Sequence, residues 1–166
     1  MKKILLYIIS LLSLTACIRD DQPSQDSFAL KTGDPLPFFT LSSGSDEKFS
    51  SEELKNKYAL IIFFSTTCSD CVNAFPEIAD LYHTYENDSS VQVLLIARDE
   101  TQEQVAAYFT RHQYEMAFYT DPNRKVYSLF ADNTIPRLFL ADKNGTIILT
   151  QTEKIDAKNI HTTITK

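Results

Sequence analysis

Two apolar runs, residues 58–64 (YALIIFF) and 91–97 (VQVLLIA), dominate the hydropathy pattern of the chain. Both are rich in β-branched and aromatic side chains, and neither alternates as a half-exposed strand would. Each is read as a strand buried on both faces, as in a parallel sheet. Between them Cys71, Phe75, Ile78, Tyr82 and Tyr85 recur at helical spacing, which makes a strand–helix–strand unit. Residues 101–113 read as a second amphipathic helix, with Thr101 as its N-cap and Val105, Tyr108 and Phe109 on its apolar side. A short strand is predicted at 116–119, before the Asp121-Pro122-Asn123 turn, and a short helix at 125–130.

Further on, residues 137–141 and 146–150 flank Asp142-Lys143-Asn144-Gly145. Asn-Gly between two apolar runs is a strong hairpin signal. A last helix is predicted at 157–165, and residues 38–41 and 47–49 around Gly44 predict an N-terminal hairpin. The order is β-β, then β-α-β-α, then β-α-β-β-α. This predicts an α/β fold, a central mixed β-sheet flanked by helices with an N-terminal β-hairpin extension. At 166 residues the chain is long enough to bury a core as one domain.

The first residues follow a different logic. Lys2 and Lys3 precede residues 4–14, which are apolar except for Ser10 and Ser13. Eleven residues at about 1.5 Å each do not cross a hydrocarbon core of about 30 Å, so the pattern is a secretory signal rather than a spanning helix. Leu14-Thr15-Ala16-Cys17 resembles the lipobox of bacterial lipoproteins, in which the Cys is lipidated and becomes the mature N-terminus. The chain thus divides into a lipoprotein signal peptide (1–16), a lipid-anchored polar tether (17–36) and a globular domain (37–166). This places the protein at the bacterial cell envelope, facing the periplasm, with the membrane reached through Cys17. Asp20 and Asp21 read as solvated linker charges. The net charge of −6 and pI near 5.0 argue against a nucleic-acid partner.

With Cys17 assigned to the anchor, two cysteines remain, in Cys68-Ser69-Asp70-Cys71. They follow a buried strand and open a helix, where free backbone N–H groups and the positive end of the helix dipole stabilise a thiolate. Cys68 falls at the N-cap and should be exposed. Cys71 lies one turn further in, close enough for a reversible disulfide across a very small loop. A zinc site would need more ligands, and His83, His112 and His161 are scattered along the chain, so no metal is assigned. A purely structural disulfide is the other alternative.

These features resemble the thioredoxin superfamily, in particular its membrane-tethered periplasmic thiol-disulfide oxidoreductases of the TlpA/ResA type. The resemblance covers about residues 34–150. It is carried by the strand ending at Phe64, the Cys68–Cys71 pair, Pro76 five residues beyond it, and Ile135-Pro136 ahead of the last hairpin. It implies a cis Ile135–Pro136 bond packed against the cysteines, and an Ile135 backbone that pairs with an extended substrate segment. It also implies catalysis by Cys68 and Cys71 without a cofactor. The implied partners are exported disulfide-containing proteins and a membrane thiol electron donor of the CcdA/DsbD type.

The departures matter as well. Thr67 stands where the family usually has Trp on the substrate side. The two positions at which the family places a buried acid hold Ile62 and Ala74. Between the cysteines, Ser69 and Asp70 replace the usual pair. Asp70 opposes a thiolate at Cys68, Arg137 is expected to offset it, and the net expectation is a reducing couple. Two rival readings remain. In a peroxiredoxin-like peroxidase, Ser65 would serve the Thr/Ser-x-x-Cys motif, although Ile61 replaces its Pro. In a redox-inactive binding module the fold would be kept and turnover lost.

Overall fold

A computed structural model describes residues 26–42 and 48–166. The expected signal peptide, Cys17 and the first part of the tether lie outside the described residues. Among those described, no helix is long and apolar enough to cross a membrane.

Thr40–Ser42 (β1) pairs antiparallel with Lys48–Ser50 (β2), placing Leu41 opposite Phe49, and forms a separate two-stranded sheet. The main sheet is built around Tyr58–Phe64 (β3), followed by Ser69–Tyr85 (α1), Val91–Arg98 (β4), Gln102–His112 (α2) and Tyr119–Asp121 (β5). Arg137–Ala141 (β6), Ile147–Thr152 (β7) and Ala157–Ile164 (α3) complete it. The strand order is β5-β4-β3-β6-β7, with β3, β4 and β5 mutually parallel and β6 and β7 antiparallel to their neighbours. The expected mixed α/β sheet with a hairpin extension is the fold observed.

β3 shows why the core takes this shape. Residues Ala59 to Phe64 are at most 1% exposed, and successive side chains enter opposite layers. Phe64 meets Phe75 of α1 and Phe109 of α2 at ring-centroid distances of 5.4 and 5.9 Å. Phe63 meets Tyr127 and Phe130 on the other side, both at 5.1 Å. α3 then packs on α1, where the Tyr85 hydroxyl and His161 Nδ1 lie 2.7 Å apart.

Three expectations are revised. The strand predicted at 116–119 begins only at Tyr119, because the β4–β5 ladder spans Ile96–Arg98 alone and Phe118 turns onto Phe109 at 5.0 Å. The helix predicted at 125–130 shrinks to a 3-10 turn at Tyr127–Leu129. The buried Asp121 carboxylate organises it by accepting the N–H groups of Val126 and Tyr127 at 3.0 and 2.7 Å. Residues 26–36, which by composition belong to the tether, are docked on the domain. Leu30 N–H donates to Phe130 O at 2.8 Å, Gly33 N–H to Ile147 O at 2.8 Å and Leu36 N–H to Gly145 O at 2.7 Å. Backbone pairing overrides the polar composition there, and only residues before 26 remain as candidate tether.

The two-layer packing of β3 has a direct consequence for stability. Phe63→Ala removes a ring enclosed by Tyr127, Phe130 and Phe139. It should lower the unfolding free energy by about 3–5 kcal/mol, read as a fall in the urea midpoint with little change in slope.

Candidate active site

The parallel pairing of β3 with β4 brings the carboxyl ends of both strands to one edge of the sheet, where α/β proteins place their sites. The chain leaves β3 at Ser65, turns through Thr66 and Thr67, and enters α1 with Cys68 as its N-cap. The turn is held locally. Cys68 N–H reaches Ser65 O at 3.4 Å, and the Ser65 and Thr67 hydroxyls lie 2.9 Å apart. Cys68 caps the helix without a side-chain hydrogen bond, so its sulfur is free to face outward. That sulfur is half-buried and sits 3.7 Å from Ile135 O. The Ile135–Pro136 bond is cis, as the resemblance implied, and both residues are buried.

Cys71 is different. It is fully buried on the apolar face of α1, alongside Ala74, Phe75 and Ile78. Ser65 N–H donates to its sulfur at 3.4 Å. Burial pushes the Cys71 thiol well above its ordinary value, and hydrogen bonding to Cys68 pushes the same way. The Ser65 N–H and the Arg98 guanidinium oppose this without reversing it. The structure thus brings together Cys68, Cys71, Ile135 and Pro136. Both cysteines are free thiols. One is accessible and one is a proton-holding thiol behind it. Thr67, Ser69 and Asp70 are exposed around Cys68, with Asp70 in the first turn of α1. Pro76 lies inside α1, on its exposed side.

Arg137 is not placed as expected. Its guanidinium donates to the Asp26 carboxylate, in a pair that is only 9–10% exposed, and lies over the Phe139 ring. The cation that acts on Cys71 is Arg98, which also donates to Asn133 O and lies over the Tyr127 ring at 4.9 Å.

A buried acid is present, but not at either position where it was sought. Glu100, 4% exposed, follows β4 and accepts from both the N–H and the hydroxyl of Thr66, the former at 2.7 Å. It therefore clamps the turn that carries Cys68. Its signal in the sequence was positional, since it lies just past the carboxyl end of the strand paired with β3 and just before the N-cap Thr101. Tyr127 was also missed. Its hydroxyl donates to Thr134 O at 2.8 Å and steadies the approach to Ile135.

A strand-to-helix turn bearing an accessible and a buried thiol against a cis-proline, on this mixed sheet, defines a thioredoxin-like protein. The chain belongs to the AhpC/TSA family, whose model matches residues 32–150. Among its relatives is the thiol-disulfide oxidoreductase ResA of Bacillus cereus, 24% identical over 123 residues, or 74% of this chain and 70% of that protein. The thioredoxin domain of a thiol-disulfide oxidoreductase from Bacteroides vulgatus superposes with a TM-score of 0.67 at 18% identity, covering 82% of this chain and 99% of that one. A thiol:disulfide interchange protein from Chlorobium tepidum gives 0.66 at 20% identity, covering 82% and 97%.

Two outcomes follow from the unequal burial. In the native dithiol protein iodoacetamide should modify Cys68 and spare Cys71, and Cys68→Ser should abolish native labelling of this pair; mass spectrometry of the alkylated peptides checks both. The second concerns pH. Because the folded protein holds the Cys71 proton more tightly than the unfolded chain does, this contribution to stability is complete below the ordinary thiol range and lost as pH rises above it. Denaturation of the dithiol form should therefore become easier above about pH 9, with a slope approaching one proton that Cys71→Ala removes.

Proposed function

We propose that the protein is a lipid-anchored, periplasm-facing thiol-disulfide oxidoreductase that reduces disulfides in exported proteins and is itself re-reduced by a membrane thiol shuttle of the CcdA/DsbD type. The observation that carries this reading is the pairing of a half-buried Cys68 sulfur, 3.7 Å from the Ile135 carbonyl, with a fully buried Cys71 directly behind it. The names of the relatives, thiol-disulfide oxidoreductase and thiol:disulfide interchange protein, support its exchange chemistry.

The chemistry balances as an exchange. The Cys68 thiolate attacks one sulfur of a substrate disulfide, so that a Cys68–substrate bond forms and the substrate S–S bond breaks. The departing substrate sulfur takes up a proton. Cys71 then gives up its proton and attacks Cys68 Sγ, forming the Cys68–Cys71 disulfide and releasing the second substrate sulfur, which is protonated in turn. Two electrons and two protons have passed to the substrate, and a dithiol donor must return them. Burial holds Cys71 as a thiol, so Cys68 is the sulfur that meets substrate. With Cys71 held protonated, the dithiol state gains no thiolate stabilisation there, which favours a reducing couple.

The proposed anchor lies close along the chain to the start of the folded domain. Asp26, the first described residue, lies nine positions beyond Cys17, a reach of about 30 Å at most. A lipid on Cys17 therefore keeps the domain within range of a membrane-embedded donor.

The AhpC/TSA match gives the peroxidase reading an observation of its own. Against it, the Ser65 hydroxyl is engaged with Thr67, and the Cys68 sulfur contacts the Ile135 carbonyl. Peroxide consumption no faster than that of a free thiol is the expected result.

Two measurements test the main proposal. The Cys68–Cys71 couple, equilibrated against dithiothreitol or glutathione buffers, should be a reversible two-electron couple at or below roughly −220 mV; a value near −150 mV or above points to an oxidase or isomerase instead. Cys71→Ala should accumulate mixed disulfides through Cys68 with exported proteins on non-reducing gels, and their absence sinks the exchange mechanism.

A further inference from the structure

The backbone just ahead of Ile135 is held from an unexpected direction. The N–H groups of Asn133 and Thr134 both donate to Asp26 Oδ1, each at 2.8 Å, across 107 and 108 positions of sequence. The other oxygen of the same carboxylate receives the Arg137 guanidinium. Thr134 immediately precedes Ile135, and Arg137 immediately follows Pro136. One carboxylate from the N-terminal segment therefore grips both flanks of the dipeptide that faces Cys68. Downstream, Arg137 is further secured by the ladders to Phe63 and Thr152. Upstream the loop lies outside any strand of the main sheet, and Asp26 supplies the acceptor that a neighbouring strand would otherwise provide.

We propose that Asp26 is a positioning residue for protein substrates. By fixing the Asn133–Thr134 backbone and Arg137, it sets the Ile135 backbone at the depth and angle needed to pair with an extended peptide segment beside the substrate disulfide. Burying this ion pair costs desolvation that an apolar pair of similar volume would avoid. What the pair adds is directional: a carboxylate with two oxygens fixes two points of backbone at once, which apolar contacts do not do. The consequence is selective. A disulfide presented on a peptide backbone depends on Asp26, whereas a small disulfide without one reaches Cys68 directly. This inference rests on the exchange reading and deepens it.

The test compares two disulfides in single-turnover oxidation of the full-length dithiol protein: insulin, whose disulfides are carried on peptide chains, and cystamine, which has no peptide backbone. Asp26→Ala should raise the half-saturating insulin concentration about tenfold, with the limiting rate nearly unchanged and the cystamine rate within about twofold of wild type. Asp26→Asn keeps the Oδ1 acceptor for the two loop amides but turns an Nδ2 donor on the Arg137 guanidinium, so it is made together with Arg137→Met and should recover most of the insulin affinity. Since Asp26→Ala leaves Arg137 buried without its partner, the double variant Asp26→Ala/Arg137→Met is measured in parallel and should show the same insulin-selective defect in a fully folded protein. Equal losses on insulin and cystamine, no loss on either, or an asparagine variant no better than alanine would each overturn the proposal. Amide exchange at Asn133 and Thr134 separates this inference from the reading beneath it. Faster exchange in the alanine variant, in a protein whose wild type oxidises with neither disulfide, would condemn the exchange reading and leave the grip of Asp26 on the loop standing. Unchanged exchange in an active protein would condemn the grip alone.

Discussion

Everything at the site depends on β3 being buried on both faces. A strand with Phe63 in one layer and Phe64 in the other has no place for polar chemistry along its length. Reactive groups can collect only where it ends. Its parallel neighbour β4 ends at the same edge, so Ser65 to Cys68 and Glu100 emerge side by side. The antiparallel neighbour β6 begins there, which brings Ile135 and Pro136 to the same place from the opposite chain direction. The site is thus a meeting of two strand ends and one strand start, set by the order of three strands before any catalytic residue is considered.

Most of this was legible in the sequence because it is local. The apolar runs of β3 and β4, the helical spacing from Cys71 to Tyr85, the cap at Thr101 and the Asn144-Gly145 turn each rest on interactions within a few residues, and each is observed. The cysteine pair could be placed at a helix start for the same reason. Where local pattern and tertiary packing conflict, packing wins. Residues 116–118 have strand-like composition, yet Phe118 is drawn onto Phe109 and the strand starts later.

The parts that were not legible are the long-range polar contacts. Glu100 lies 34 positions from Thr66, and Asp26 lies 111 positions from Arg137. No periodicity or spacing announces such pairs, because the fold alone brings them together. Arg137 shows the limit well. Its place beside Pro136 suggested a cation aimed at Cys68, but a buried guanidinium goes to the nearest carboxylate able to share its desolvation, and that carboxylate comes from a segment whose composition reads as linker. The same segment shows that polar composition is a poor guide to disorder when backbone groups can pair, as those of Leu30, Gly33 and Leu36 do.

The two thiols then acquire their roles from burial more than from the residues between them. Ser69 and Asp70 are exposed, and water screens the charge of Asp70. Cys71 is enclosed by apolar side chains and keeps its proton. An accessible sulfur in front of a protonated one orders the exchange: the front sulfur is the one that meets substrate, and the rear one must lose its proton as it attacks. The environment of Cys71 therefore separates the two sulfurs by role, because burial on the apolar face of α1 leaves Cys68 as the sulfur exposed to substrate.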